Sequence, residues 1–281
     1  MCLLLFAYHC HPDYPLLLIA NRDEFYARAS APAEPWRRGQ EGEQGRQIVA
    51  GRDLQAGGTW AGIAAGRVAA VTNIREPGRA EPENALSRGE IPYKFLTGSA
   101  SPEQFARQLE GQRYRGFNAL LFALDEEQPL YCAGNRHSPF AFSAGVHGIS
   151  NGAPDAPWPK VEKGKAGLAQ ITRHIEGTIN RENFIEPALS LLQDRAPAVD
   201  AELPRTGMSL LMERALSPIF VQITQRENQL PTNVDSSAFE RGYGTRASTL
   251  IAVHRNGQSH LWEQSFTQGN LCGPLRYFSI P

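Results

Sequence analysis

Near its start the chain carries two apolar runs almost back to back. CLLLFAY fills residues 2–8 and LLLIA fills residues 16–20, with the turn-like HPDYP just before the second. Short apolar runs bounded by turn residues read as buried strands. The second run leads straight into four polar side chains, Asn21, Arg22, Asp23 and Glu24. At the end of a buried strand such a tetrad ordinarily forms a solvated turn or a salt-bridged loop. The head of the first run is Cys2, directly behind Met1. Cys2 is either a small buried residue opening a core strand or, once Met1 is removed, a residue with both a thiol and a free α-amino group. The second form puts a nucleophile and a base on one residue.

The rest of the chain alternates between strand and helix signals. Residues 31–52, rich in Pro, Gly, Arg and Glu, read as a long surface excursion. GGTWAGIAA (57–65) and GRVAAVTN (66–73) predict a hairpin turning at Gly66. Its glycines relieve crowding beside Trp60 or let a ligand approach the backbone. Ser101-Pro102-Glu103-Gln104 is a helix start with a reciprocal cap and a proline in the first turn. FNALLFAL (117–124) is the next strand, with short ones around Tyr131 and Phe140. Helices are expected over 158–175, despite Gly164 and Gly167, and around 184–192 and 207–216. STLIAVHR (248–255) and SHLWEQSF (259–266) finish the chain as strands. A helical middle between strand-rich ends predicts one interleaved α+β domain over residues 1–281.

Bulk properties narrow the chemistry. With 28 basic and 29 acidic residues and no long like-charge block, nothing points to a nucleic-acid groove. The four cysteines, Cys2, Cys10, Cys132 and Cys272, form no CxxC pair and fit reduced, cytoplasmic usage. The first apolar run is too short to span a membrane and lacks a signal peptide's basic flank. His9, Cys10 and His11 have metal-capable atoms but no second half of a site. GxGxxG, GxxxxGK and HExxH motifs are all absent. What remains at strand ends is Cys2, the tetrad with Arg22 and Asp23, Asn73, Asn151 and Arg246. Together these supply a thiol, amide donors for an oxyanion and guanidinium groups to favour a thiolate, the ingredients of acyl transfer.

Several stretches carry a family resemblance: MCLLLF at the start, ANRDEFY at 20–26, GGTWAGI at 57–63, VTN at 71–73, GISNG at 148–152, PWPKVEKGK at 157–165 and YGTRAST at 243–249. On these the chain resembles the NRDE family, the chains like transport and Golgi organisation protein 2. That family in turn resembles the N-terminal-nucleophile hydrolases of the bile-salt hydrolase and penicillin V acylase branch. The resemblance implies a four-layer αββα sandwich with Cys2 as nucleophile. It implies Asn151 as the oxyanion asparagine, Asn73 as a second polar contact and Arg246 near the thiol. The acylases separate an arginine and an aspartate by three residues after their second strand. Here Arg22 and Asp23 are adjacent, so either they fill those roles through a shifted alignment or the tetrad serves a different purpose. The implied activity is hydrolysis of a small non-peptide amide without a cofactor. The family also implies an alternative, haem or lipid handling on a non-catalytic version of the fold, with an apolar ligand and with Cys2, His9 or His11 as candidate iron ligands.

Overall fold

The computed structural model describes residues 2–36, 46–223 and 242–281. The chain opens with β1 (Cys2–Tyr8), β2 (Leu16–Phe25), β3 (Ser30–Trp36), β4 (Ile48–Asp53), β5 (Ala61–Ala64) and β6 (Arg67–Asn73). Helices α1 (Glu90–Thr97) and α2 (Pro102–Gln108) precede β7 (Phe117–Ala123), β8 (Leu130–Gly134), β9 (Phe140–Ala141) and β10 (Gly145–Ile149). Next come α3 (Pro159–Arg173), α4 (Glu186–Leu192) and α5 (Leu210–Ala215). Strands β11 (Gln222–Ile223), β12 (Tyr243–Val253), β13 (Ser259–Thr267) and β14 (Asn270–Ile280) complete it.

The strands form two antiparallel sheets. One runs β10-β1-β2-β12-β13-β14, with β11 also paired to β12; the other runs β3 to β9 in sequence order. The alternation of strand side chains decides what each face covers. Leu4, Phe6, Leu16, Leu18 and Ala20 point at the other sheet, where they meet Ile63, Val68, Ala70, Leu120 and Phe122. Leu3, Leu5, Leu17 and Ile19 point the other way, onto Val161 and Leu168 of α3 and Ala188 and Leu192 of α4. The second sheet's outer face is covered by Ile91, Phe95 and Leu96 of α1 and Ala106 of α2. The first two strands are therefore buried on both sides, which is why they read as unbroken apolar runs.

The expected hairpin turns at Gly66, whose φ of +64° is the left-handed conformation glycine tolerates. The Ser101–Gln104 capping box is present in full. Gly164, a weak helix former, sits where a Cβ would run into the side chain of Leu5, so close packing of α3 on β1 explains it. Three readings need correction. The tetrad at 21–24 is not a turn: it continues β2 as extended backbone, because β12 pairs with it throughout. The flanks of the 31–52 excursion are the paired strands β3 and β4, while residues 37–45 lie outside the described residues. The chain also finishes on a third strand, β14, whose mostly exposed residues gave no buried-strand signal. Among the described residues no helix is long and apolar enough to cross a membrane.

Candidate active site

Strand register builds the site. Cys2 lies opposite Arg22 in the β1–β2 pair, so both side chains share the face that carries Leu4 and Ala20. At this end of the strands that face opens into a cavity of about 570 Å³. Among the residues lining it are Cys2, Arg22, Glu24, Asp53, Trp60 and Asn73.

The period of two divides the tetrad between two jobs. Asn21 and the side chain of Asp23 belong to the helix-facing side of β2, and Asp23 also borders the cavity. The Asn21 amide donates to the carbonyls of Leu192 (2.8 Å) and Ile219 (2.9 Å), and its Oδ1 accepts from Ser248 Oγ at 2.6 Å. Asp23 Oδ1 accepts from Thr245 Oγ1 at 2.7 Å, and its carbonyl accepts from Tyr243 OH at 3.0 Å. Arg22 and Glu24 belong to the cavity side. Arg22 Nη2 reaches Asp53 at 3.2 Å and Glu24 at 3.7 Å, and its guanidinium lies 4.4 Å over the Trp60 ring. Arg28 Nε binds the same Asp53 oxygen at 2.6 Å.

The electrostatics follow from burial. Cys2 is only 8% exposed, and burial pushes its thiol up; neighbouring Asp23 and Glu24 add to this, while Arg22 opposes it. Burial also raises Asp23, against the pull of Lys160. Lys160 is itself buried on the first turn of α3, donates to the Leu216 carbonyl at 3.0 Å, and is brought down to about 8 by burial against the opposing effect of Asp23. Burial works against ionisation of Asp53, yet Arg28, the Ala56 amide and Arg22 together hold its carboxyl below the usual range.

Asn73 and Asn151 occupy different positions. Asn73, the last residue of β6, lines the cavity. Asn151 is fully buried behind it, donating from Nδ2 to the Asn73 carbonyl at 2.9 Å and accepting from the Arg75 amide at its own carbonyl, 2.7 Å. Ser150 Oγ adds a 3.3 Å bond to the Cys2 carbonyl, so the GISNG stretch at the end of β10 and just beyond it grips the head of β1. Arg246 does not line the Cys2 cavity. It occupies a bulge in β12, between Thr245 opposite Asp23 and Ala247 opposite Arg22, and it lines a neighbouring cavity of about 250 Å³ that shares Arg22 and Trp60. Its Nη1 donates to the carbonyls of Phe25, Tyr26 and Arg28 at 3.1 to 3.2 Å, which fixes the turn after β2. His9 and His11 follow the far end of β1 from Cys2, and His11 is engaged with the Ile175 carbonyl and the Asp13 amide. Cys2 and these histidines are not one ligand set. Among the described residues no group of three or more His, Cys, Asp or Glu could hold a metal ion.

The family model for Transport and Golgi organisation 2 matches residues 1–268 of the chain. The chain belongs to this family. Curated relatives include the mouse Transport and Golgi organization 2 homolog, 30% identical over 279 residues that cover 94% of this chain and 93% of that protein. The bovine homolog is 31% identical over 94% of this chain and 93% of its own length. The fruit-fly protein (Drosophila melanogaster) is 26% identical over 95% and 93%.

In this family member, sequence reasoning missed Asp53, Arg28 and Arg88, which line the cavity, and Lys160, whose charge acts on Asp23. Lys160 stands inside the PWPKVEKGK stretch, and a lysine at the start of a helix due to be buried was the available signal. Asp53 and Arg28 leave no local trace, because only the fold brings them to Arg22.

Proposed function

We propose that this chain is an N-terminal-nucleophile type hydrolase that cleaves a small non-peptide amide, built on an αββα sandwich, with Cys2 as nucleophile after loss of Met1. The observation that carries the reading is the cavity at the head of β1, where Cys2 shares one face with Arg22 and Asn73 shares the wall. Packing of α1 and α2 outside one sheet and α3 and α4 outside the other supports the sandwich.

In this reading the Cys2 α-amine accepts the thiol proton and sulfur attacks the amide carbonyl. Asn73 stabilises the oxyanion, and Asn151 holds Asn73 in place from behind. Collapse breaks the C–N bond, the ammonium returns the proton to the leaving amine, and a thioester remains. Water, deprotonated by the amine, then releases the acid and restores the thiol. Burial raises the thiol, so in this reading proton transfer to the amine accompanies attack. Arg22 steadies the developing sulfur charge, an assignment favoured over Arg246 because Arg22 faces Cys2 across the strand pair.

The test is intact-protein mass before and after incubation with a panel of activated amides. Loss of one methionine and an acyl increment mapped to Cys2, absent in a folded Cys2→Ala variant, is the expected result. A retained Met1 with an unreactive Cys2, or unchanged turnover in Cys2→Ala, overturns the reading.

A further inference from the structure

Arg22 is held in place from the opposite sheet. Its partner Asp53 ends β4, and the Asp53 carboxylate is fixed by its own turn. Oδ1 accepts from the amides of Gln55 (3.0 Å) and Ala56 (2.9 Å). The Asp53 amide donates to the Gly58 carbonyl at 2.8 Å, and its carbonyl accepts from the Gly57 amide at 2.7 Å. That leaves Oδ2 for β2 and the turn after it, where it takes Arg28 Nε at 2.6 Å and Arg22 Nη2 at 3.2 Å. Glu24 stands farther off, 3.7 Å from Arg22 and 3.8 Å from Arg28, and its other oxygen accepts from the Phe25 amide.

The same strand sets the floor under the guanidinium. Gly51 lies two residues before Asp53, so the two share a face of β4. A Cβ on Gly51 would overlap the Trp60 ring, so the glycine lets the indole lie against β4. The Arg22 guanidinium lies 4.4 Å over that ring. Arg22 is therefore held at Nη2 and along one face, while its buried Nη1 has no hydrogen-bond partner among the described residues. Cys2 stands opposite it in the β1–β2 pair, and of the two Arg22 is the group that favours the ionised thiol, against Asp23 and Glu24. A long side chain has many rotamers, and its charge helps the sulfur only when one of them is fixed.

We propose that Asp53 is a positioning residue for the chemistry at Cys2: with Trp60 it holds the Arg22 guanidinium where its charge favours the ionised sulfur. The proposal rests on the hydrolase reading for what the sulfur does, and on the β4 geometry alone for how its ionisation is set.

Two roles for Asp53 predict opposite signs. As a bare negative charge it would keep the thiol protonated, so Asp53→Asn would speed alkylation of Cys2. As the residue that positions Arg22 it promotes ionisation, so the same substitution slows alkylation. The probe is iodoacetamide, which is neutral. The Cys2 sulfur displaces iodide, S–C forming as C–I breaks and the thiol proton passing to solvent, and intact mass with peptide mapping follows the label. Rates are taken between about pH 6 and pH 9 on variants shown to be folded by circular dichroism. The expected result is a rate roughly tenfold lower in Asp53→Asn below the thiol's own value, a profile displaced to higher pH by about one unit. Asp53→Glu, which keeps the charge, restores most of the rate. In an Arg22→Met background Asp53→Asn no longer slows the reaction. An unchanged or faster rate in Asp53→Asn, or a slowing that persists without Arg22, overturns the proposal. If Asp53→Asn does not fold, Arg22→Lys decides, because lysine keeps the charge but offers Asp53 no planar fork. A rate near that of Arg22→Met supports the proposal, and the parental rate refutes it. If iodoacetamide leaves Cys2 of the parent unlabelled, the carbon-13 shift of Cys2 Cβ against pH reads the same displacement. Alkylation that meets these expectations without acylation by the amide panel counts against the hydrolase reading alone.

Discussion

The division of the tetrad between the two faces of β2 makes a sharp prediction at Asn21, a fully buried member on the helix side. Asn21→Ala removes two donated bonds, to Leu192 at the end of α4 and to Ile219, and one accepted from Ser248. Three lost bonds at about 1 kcal/mol each give roughly 3 kcal/mol, and the stranded carbonyls and hydroxyl would add to this if water did not enter the space left by the amide. For a chain of this length that corresponds to a melting temperature lower by about 5 °C. Circular dichroism melts and urea titration measure it, the urea slope confirming that the unfolding transition is otherwise the same. Because Asn21 does not line the cavity, alkylation of Cys2 at 15 °C, well inside the folded range, should stay within about twofold of the parent. A melting shift below about 2 °C would refute the claim that Asn21 ties the β2 strand to the helical layer. A collapse of Cys2 reactivity in a fully folded variant would refute the division of labour.

Two further outcomes follow. A Cβ on Gly58 would overlap the carbonyl of Gly89 where the two backbones cross. Gly58→Ala should therefore cost about 1–3 kcal/mol, measured by urea denaturation, and should slow Cys2 alkylation by displacing the 85–89 wall. His147 on β10 faces two acceptors, Asp155 Oδ2 at 2.7 Å from Nδ1 and the Ser143 carbonyl at 2.9 Å from Nε2, which only the doubly protonated ring can serve together. The Asp155 hydrogen bond raises His147 despite partial burial. Its folded value thus lies above its unfolded one, so the contribution is full below about pH 6.5 and fades as pH rises through the folded value. The stability difference between parent and His147→Gln should be about 1 kcal/mol near pH 6 and should shrink by pH 8.5. A gap that widens with pH contradicts the assignment.

How much of this was legible beforehand depended on whether a residue's role is local. The β5–β6 hairpin and the Ser101 cap were readable because Gly66 and the Ser-Pro-Glu-Gln stretch act on their own backbones. The two apolar runs were readable because burial on both faces leaves no polar position. β14 was not, since an edge strand facing outward carries no buried pattern. The tetrad was misread for the converse reason. Four successive polar residues look like a turn unless the sheet gives each a partner, and those partners, Leu192, Asp53 and Thr245, lie 171, 31 and 222 residues away in the chain. Cys2 could be singled out from its position, but Asp53, Arg88 and Lys160 come from the end of β4, the segment before α1 and the first turn of α3.

The tetrad also explains why the candidate site and the core depend on one another. A strand has period two, so a slip of β2 by one residue would turn Arg22 toward the helices, away from the face that carries Cys2, and would turn Asn21 or Asp23 toward the cavity. Apolar pairing alone resists such a slip weakly here, because both faces of both strands are greasy and Leu3, Leu4 and Leu5 differ little. The polar residues resist it strongly. A slip would carry Asn21 away from the Leu192 and Ile219 carbonyls and Arg22 away from Asp53, leaving buried donors and a buried charge without partners. The bulge at Arg246 fixes the other edge of β2, because the extra residue fits only where Thr245 meets Asp23 and Ala247 meets Arg22. A chain whose first strands are nearly featureless hydrocarbon thus takes its register from the tetrad at their end, and that same register is what aims Cys2 and Arg22 into one cavity.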